Sequence, residues 1–228
     1  MPLVLRLIVF LLAYVALFAA LLFAPAPTLA WWDAYVLLAA MLIVRTAGVF
    51  DVYRVNPELL AERAGMPIRS GQPLADRMLL ATWMASFAAH VAFCSADVWR
   101  LRLLPPPVFP LRMAGLALFV FGWWVAGRVL RDNAFAVTTV RHQAERAHRV
   151  ADSGVYAVVR HPMYAAMIPV MVGMALWLGS TAGILAAAVP MSILVARIVL
   201  EERFLRRTLA GYAEYAARVR WRLIPGLW

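Results

Sequence analysis

Arg160 and His161 stand directly before Pro162 and two residues short of Tyr164, and Arg197, Glu201 and Glu202 follow about forty residues later. Proline has no amide hydrogen and biases its predecessor away from helix, so a helix that begins at Pro162 places His161 beside its N-terminus. Free backbone N–H groups and the positive end of the helix dipole, with Arg160 and His161 alongside, suit a carboxylate or a phosphate. Arg197 and Glu201 are four apart, on one helix face, and can pair with each other. Ionisable groups beside apolar runs are costly unless paired or turned to a cavity, which favours half of a binding pocket over the alternative, an interfacial charge cluster that only anchors helix ends.

The elements that must hold these residues are membrane helices. Hydrophobic residues make up 64% of the 228, with a mean hydropathy of +0.77, far above the roughly 45–50% apolar usage of soluble domains. Runs long enough to cross a hydrocarbon core of about 30 Å can be read near 3–23, 33–53, 77–97, 111–130, 162–178 and 181–199. The expected fold is therefore an all-α integral membrane protein of about six transmembrane helices. The first run resembles a secretory signal, but its apolar core is longer than the usual 7–15 residues or so, and more spans follow.

The formal charge of +10 comes from 22 basic residues, all arginine, that fall mostly between and after the apolar runs. That is the positive-inside pattern and leaves no compact basic domain for nucleic acid. Arg54, Arg63 and Arg69, the arginines between 131 and 160, and those of the tail place three regions on the cytoplasmic side, with both termini expected there; Arg100 and Arg102 run against this pattern. Cys94 is the single cysteine, so no internal disulfide or thiolate zinc site can form, and the four histidines lack ligand spacing, so no metal is expected.

Gly179, Ser180 and Thr181 leave room only for a tight antiparallel hairpin over 162–199, which brings the Glu201 end beside the His161 end. Residues 54–76 read as a short helix and a surface loop. In the tail, Phe204, Leu205, Leu209, Tyr212, Tyr215 and Val219 recur at three- and four-residue steps, as in an amphipathic helix on the membrane or over a pocket. Residues 1–130 thus form a four-helix portion, and residues 131–228 a polar, site-bearing half. Tryptophans 31, 32, 99, 123, 124 and 228, near span ends, suggest an interfacial belt. Met163, Met167, Met171 and Met174 suggest packing, and Arg45 is expected to snorkel or to pair with Asp51.

HRVADSGVYAVVRHPMY, followed by RIVLEERFL and GYAEYAARVRWRLIPGLW, resembles the isoprenylcysteine carboxyl methyltransferase family and the related phospholipid N-methyltransferases. The resemblance covers roughly residues 130–228, and NPELLAERAG at 56–65 resembles a bacterial subgroup of unknown substrate. It implies an S-adenosylmethionine cofactor held by the C-terminal half, beside a lipophilic substrate that enters from the bilayer. Carried over by position, Gln143, His148, Val150, Tyr156, His161, Pro162, Tyr164 and Glu201 would line the cofactor, and Arg197 would orient the methyl acceptor. The chain departs from the pattern in a shorter stretch from Gln143 to His148 than in the eukaryotic enzymes, and in Ala165 where glycine is common.

The residue chemistry agrees with that cofactor. A sulfonium, an ammonium and a carboxylate together ask for carboxylates, aromatic faces and an anion site. Glu201 or Glu202, Tyr156 and Tyr164, and the Pro162 helix start with Arg160 offer these. A carboxylate acceptor needs no general base, whereas an amine acceptor must lose a proton, for which His148 and Glu202 are candidates. The competing reading is an NADPH-dependent integral membrane reductase of the sterol or steroid class, whose phosphates the arginines between 141 and 160 could meet.

Overall fold

The computed structural model describes residues 2–64, 74–136 and 150–228, and every regular element among them is helical. The order is α1 (Leu3–Phe23), α2 (Trp32–Val55), α3 (Pro57–Arg63), α4 (Leu74–Ala96), α5 (Phe109–Asp132), α6 (Pro162–Leu178), α7 (Thr181–Ala186), α8 (Ala188–Thr208) and α9 (Tyr212–Arg218). A π-helical turn, Asp97–Leu101, extends α4, and a 3-10 turn, Gly154–Ala157, precedes α6. Five segments are long and apolar enough to cross a membrane: α1, α2, Leu74–Leu101, α5 and Thr181–Thr208. The sixth expected span, α6, is apolar but has 17 residues, about 26 Å at a rise of about 1.5 Å per residue. The protein is an integral membrane protein: α1 buries only Phe18 and Leu22 and presents Leu5, Val9, Phe10, Leu12 and Leu17 outward, a face that lipid, not water, accepts.

α5 and α6 form the tightest pair. A Cβ on Gly173 would lie 2.5 Å from the Gly115 carbonyl oxygen, and one on Gly122 would lie 2.8 Å from that of Ala166. The two backbones touch, as small residues permit in membrane bundles. α2 approaches the other side of α5 where Gly48 meets Gly127. The expected hairpin of 162–199 is looser than the sequence implied. The turn after α6 is a left-handed Gly179 with Ser180 capping α7 through the Gly183 amide, and α7 sets α8 away from α6. α8 packs mainly along α4 instead, although its far end still returns to the start of α6.

The short helix expected after the second span is α3, which folds back so that Leu59 and Leu60 pack with Val52, Leu7 and Leu130. Arg6 donates to the Ala64 carbonyl at 3.3 Å and Arg63 to that of Ala136 at 2.7 Å. The tail is not one helix: Gly211, at φ 80°, turns the chain between α8 and α9, a conformation open to glycine at little cost. The expected apolar stripe holds apart from Phe204: Leu209, Tyr212, Tyr215 and Ala216 cluster with Val150, Leu205 and Val219. The methionines pack as expected, with Met167, Met171 and Met174 in the core. The tryptophan belt is corrected in part. Trp32 and Trp124 are exposed, but Trp31 and Trp123 are core residues, held edge-on by Trp99 and Tyr14.

Candidate functional site

The start of α6 and the end of α8 meet under the C-terminal tail. Glu202 is buried and meets three side-chain nitrogens: Arg160 Nε at 2.6 Å and His161 Nε2 at 3.3 Å on one oxygen, Arg222 Nε at 3.0 Å on the other. Arg160 donates further to the Val219 and Arg220 carbonyls at 2.7 and 2.8 Å. The backbone amides of Arg160 and His161 donate to Trp221 and Arg222 at 2.9 Å each. The groups ahead of Pro162 that an anion was expected to use are thus taken up by the chain's own tail. Arg160 and Glu202 form a buried clasp, an arrangement that tolerates burial because each charge is paired and hydrogen-bonded.

One residue earlier on α8, Glu201 turns the other way and accepts the Tyr164 hydroxyl at 2.6 Å. Its second oxygen has no partner among the described residues. The Tyr164 ring stacks on His161, centroids 5.7 Å apart and planes 7° apart, and the Arg197 guanidinium lies 6.0 Å from the Tyr164 centroid. From the tail, Tyr215 donates to the Tyr156 carbonyl at 2.8 Å, while the buried Tyr212 hydroxyl has no partner among the described residues. Burial raises the Tyr156 phenol above its ordinary pKa, opposed by a hydrogen bond with Asn133 and aided by the Glu201 charge. Burial raises Tyr212 as well, with Glu202 and Glu201 adding to it. Both stay neutral at physiological pH, so they offer a ring face and an O–H donor.

Arg197 finds a partner the sequence did not suggest. Asp76, fully buried in the first turn of α4, accepts from its Nε and NH2, each at 3.1 Å. Arg45 also differs from expectation. Asp51 is taken by Arg131 at 2.8 Å, with Arg128 at 3.9 Å, and Arg45 lies over the rings of Tyr14 and Trp123 instead, 4.2 and 4.5 Å from their centroids.

Of the residues singled out in the sequence, Tyr156, Arg160, His161, Pro162, Tyr164, Arg197, Glu201 and Glu202 come together at this junction, and Val150 packs beneath the tail. Gln143 and His148 lie outside the described residues. The sequence missed Asp76, Tyr212 and Arg222. An acid in the first turn of an apolar span reads as a helix-dipole partner, and Tyr212 reads as one more apolar position of an amphipathic stripe. Only GYAEY, with two hydroxyls on that stripe, hinted otherwise. No group of three or more histidine, cysteine, aspartate or glutamate side chains suited to a metal occurs among the described residues.

Fold and site together define a helical membrane protein with a polar, tyrosine-lined cluster clamped between two apolar helices and a folded-back tail. Residues 111–211 match the phospholipid methyltransferase family, a segment that runs from the first turn of α5 through α8 and includes the Tyr164–Glu201 pair. The match supports a membrane methyltransferase with a lipid-like substrate, and nothing in it favours the reductase alternative. No curated protein matches the chain.

Proposed function

We propose that this protein is an S-adenosylmethionine-dependent methyltransferase that transfers a methyl group to a lipophilic acceptor, a carboxylate or an amine headgroup. The observation that carries the reading is the Tyr164–Glu201 pair, with the second Glu201 oxygen and the buried Tyr212 hydroxyl without a partner among the described residues, within or beside the matched segment. These groups fit the cofactor: an open carboxylate for a cation, neutral tyrosine faces for a sulfonium, and a buried O–H awaiting an acceptor atom. When bound, adenosylmethionine supplies a methyl group already activated by the positive sulfur.

The residues of this chain therefore bind and align. Glu201 and the rings of Tyr156 and Tyr164 attract and orient positive charge, and Pro162 and His161 set the angle of α6 on which Tyr164 stands. Val150, Gln143 and His148 complete the cofactor wall in this reading. Arg197, fixed by Asp76, orients the acceptor, and close alignment together with exclusion of water supplies much of the rate. Glu202 already meets Arg160, Arg222 and His161 and acts as a positioning residue, so for an amine acceptor His148 is the proton acceptor. Residues 131–228 form the cofactor-binding half, completed by α5 from residues 1–130, and the site opens to the cytoplasm, with both termini on that side of a bacterial inner membrane.

Calorimetry of the purified protein in detergent tests this reading. Adenosylmethionine or its demethylated product should bind, NADPH should not, and Glu201→Ala should weaken binding about tenfold or more, as loss of a hydrogen-bonded charge does. Binding of NADPH without adenosylmethionine would overturn the proposal. Transfer of labelled methyl groups into a membrane lipid extract then identifies the acceptor.

A further inference from the structure

α8 is divided lengthwise. Leu194, Arg197, Ile198 and Glu202 are buried, whereas Val189, Ser192, Val195, Val199, Arg203 and Arg206 are exposed. The exposed positions recur at steps of three and four, which keeps them on one face of a helix with about 3.6 residues per turn. That face points away from Leu194, Arg197 and Ile198, and so away from the candidate site. Its first part is apolar: Val189, Val195 and Val199 are 60%, 36% and 37% exposed. In a segment long and apolar enough to cross a membrane, acyl chains cover such a surface.

The same face ends in charge. Arg203 follows Val199 by four residues, about 6 Å along the axis, and Arg206 and Arg207 stand one turn further; all three are exposed. None of their side chains has an ion-pair or hydrogen-bond partner among the described residues. Arg218, exposed on α9, differs in holding Asp152 at 2.6 Å. Within residues 203–228, Glu214 is the only acidic side chain against six arginines. The negative end of a helix dipole amounts to about half an elementary charge, so it offsets only part of one guanidinium and leaves the patch strongly positive. A guanidinium is a fork of donors shaped for phosphate oxygens. The change from exposed valine to exposed arginine within one turn matches the change from acyl chain to headgroup.

We propose that the end of α8 is a docking surface for an anionic phospholipid of the surrounding bilayer, with an acyl chain along Val195 and Val199 and the phosphate at Arg203, Arg206 and Arg207. A zwitterionic headgroup fits less well, because its ammonium enters a patch where no carboxylate meets these arginines. The lipid on this surface is not a methyl acceptor: it lies on the side of α8 turned away from Arg197, and the surface stands independently of the methyltransferase reading. Its effect is on the helix end. Arg203 adjoins Glu202, which clasps Arg160 at 2.6 Å, so a headgroup that holds Arg203 and Arg206 steadies the stretch of α8 against which the tail is latched.

The test titrates the full chain, in neutral maltoside micelles, with dioleoylphosphatidylglycerol and reads retained lipid by native mass spectrometry and stability by a thermal melt. Wild type should bind this lipid at least about tenfold more tightly than dioleoylphosphatidylcholine, and its melting temperature should rise. At about fivefold per arginine near an anionic headgroup, the triple variant Arg203→Gln, Arg206→Gln, Arg207→Gln should bind on the order of a hundredfold more weakly and lose the rise. Arg218→Gln removes an exposed arginine that already has a carboxylate and should leave affinity unchanged. Added salt should weaken wild-type binding, a measurement that serves if the triple variant does not fold. Equal phosphatidylglycerol affinity in wild type and the triple variant, or wild-type binding indifferent to salt, would overturn the surface, as would a loss in Arg218→Gln as large as that in the triple variant. Equal binding of phosphatidylcholine would remove the anionic headgroup from the proposal, and equal competition by glycerol 3-phosphate would replace the lipid with a soluble phosphate.

Discussion

Replacing Glu202 by Gln should unlatch the tail from the start of α6. The side chains of Arg160 and Glu202 are 4% and 6% exposed, and their 2.6 Å contact is the shortest of those that Glu202 makes with Arg160, His161 and Arg222. Removing the negative member leaves Arg160 buried without a charge partner, a change that costs about 3–5 kcal/mol. The Val219 and Arg220 carbonyls keep their hydrogen bonds to Arg160, so the lower half of that range is the fair expectation. The loss falls on the docking of residues 219–223, because the amides of Arg160 and His161 bond to Trp221 and Arg222. At about 1.4 kcal/mol per factor of ten, 3–4 kcal/mol corresponds to a roughly 150- to 700-fold rise in exchange at those two amides, provided they exchange by opening of the tail. Hydrogen–deuterium exchange of the protein in detergent measures this directly. Arg222→Gln is the internal control: its side chain is 33% exposed, and a solvent-screened pair is worth up to about 1 kcal/mol. Exchange that rises less than tenfold in Glu202→Gln, or no more than in Arg222→Gln, would refute the clasp.

Tyr212→Phe removes a buried hydroxyl with no partner among the described residues; without ligand the variant should be as stable as wild type or more so by about 1 kcal/mol, while adenosylmethionine binding weakens. A thermal melt with and without the cofactor separates the two effects, and a ligand-independent loss of stability would show that the hydroxyl already has a structural partner. Gly173→Ala drives a Cβ to 2.5 Å from the Gly115 oxygen and the Phe119 nitrogen, backbone atoms that cannot swing aside, and should cost about 1–3 kcal/mol or more. A melting temperature unchanged in Gly173→Ala would mean that α5 and α6 do not meet in this register.

Much of this protein was legible from its sequence because the membrane makes demands that local sequence must meet. A segment in lipid has to satisfy its backbone internally, so long apolar runs became α1, α2, α4, α5 and α8 nearly where hydropathy placed them. Pro162 fixed the start of α6 through its missing amide hydrogen, and the spacing of RHPMY and EER was enough to bring the two glutamates within reach of Arg160, His161 and Tyr164. The spacing could not say that the adjacent glutamates divide their work. On a helix, consecutive side chains point about 100° apart, and which one meets the clasp and which faces the tyrosines depends on how α8 is rotated against α4. Nor could it assign Asp76 to Arg197 or the paired faces of Tyr14 and Trp123 to Arg45, since those contacts join residues far apart in the chain. Sequence by itself determined the elements and the inventory of charged groups, because both follow from local chemistry. The tertiary structure alone decided the pairing, because a guanidinium in a bundle accepts any carboxylate or ring that packing brings within reach, and helix rotation, not residue type, chooses among them.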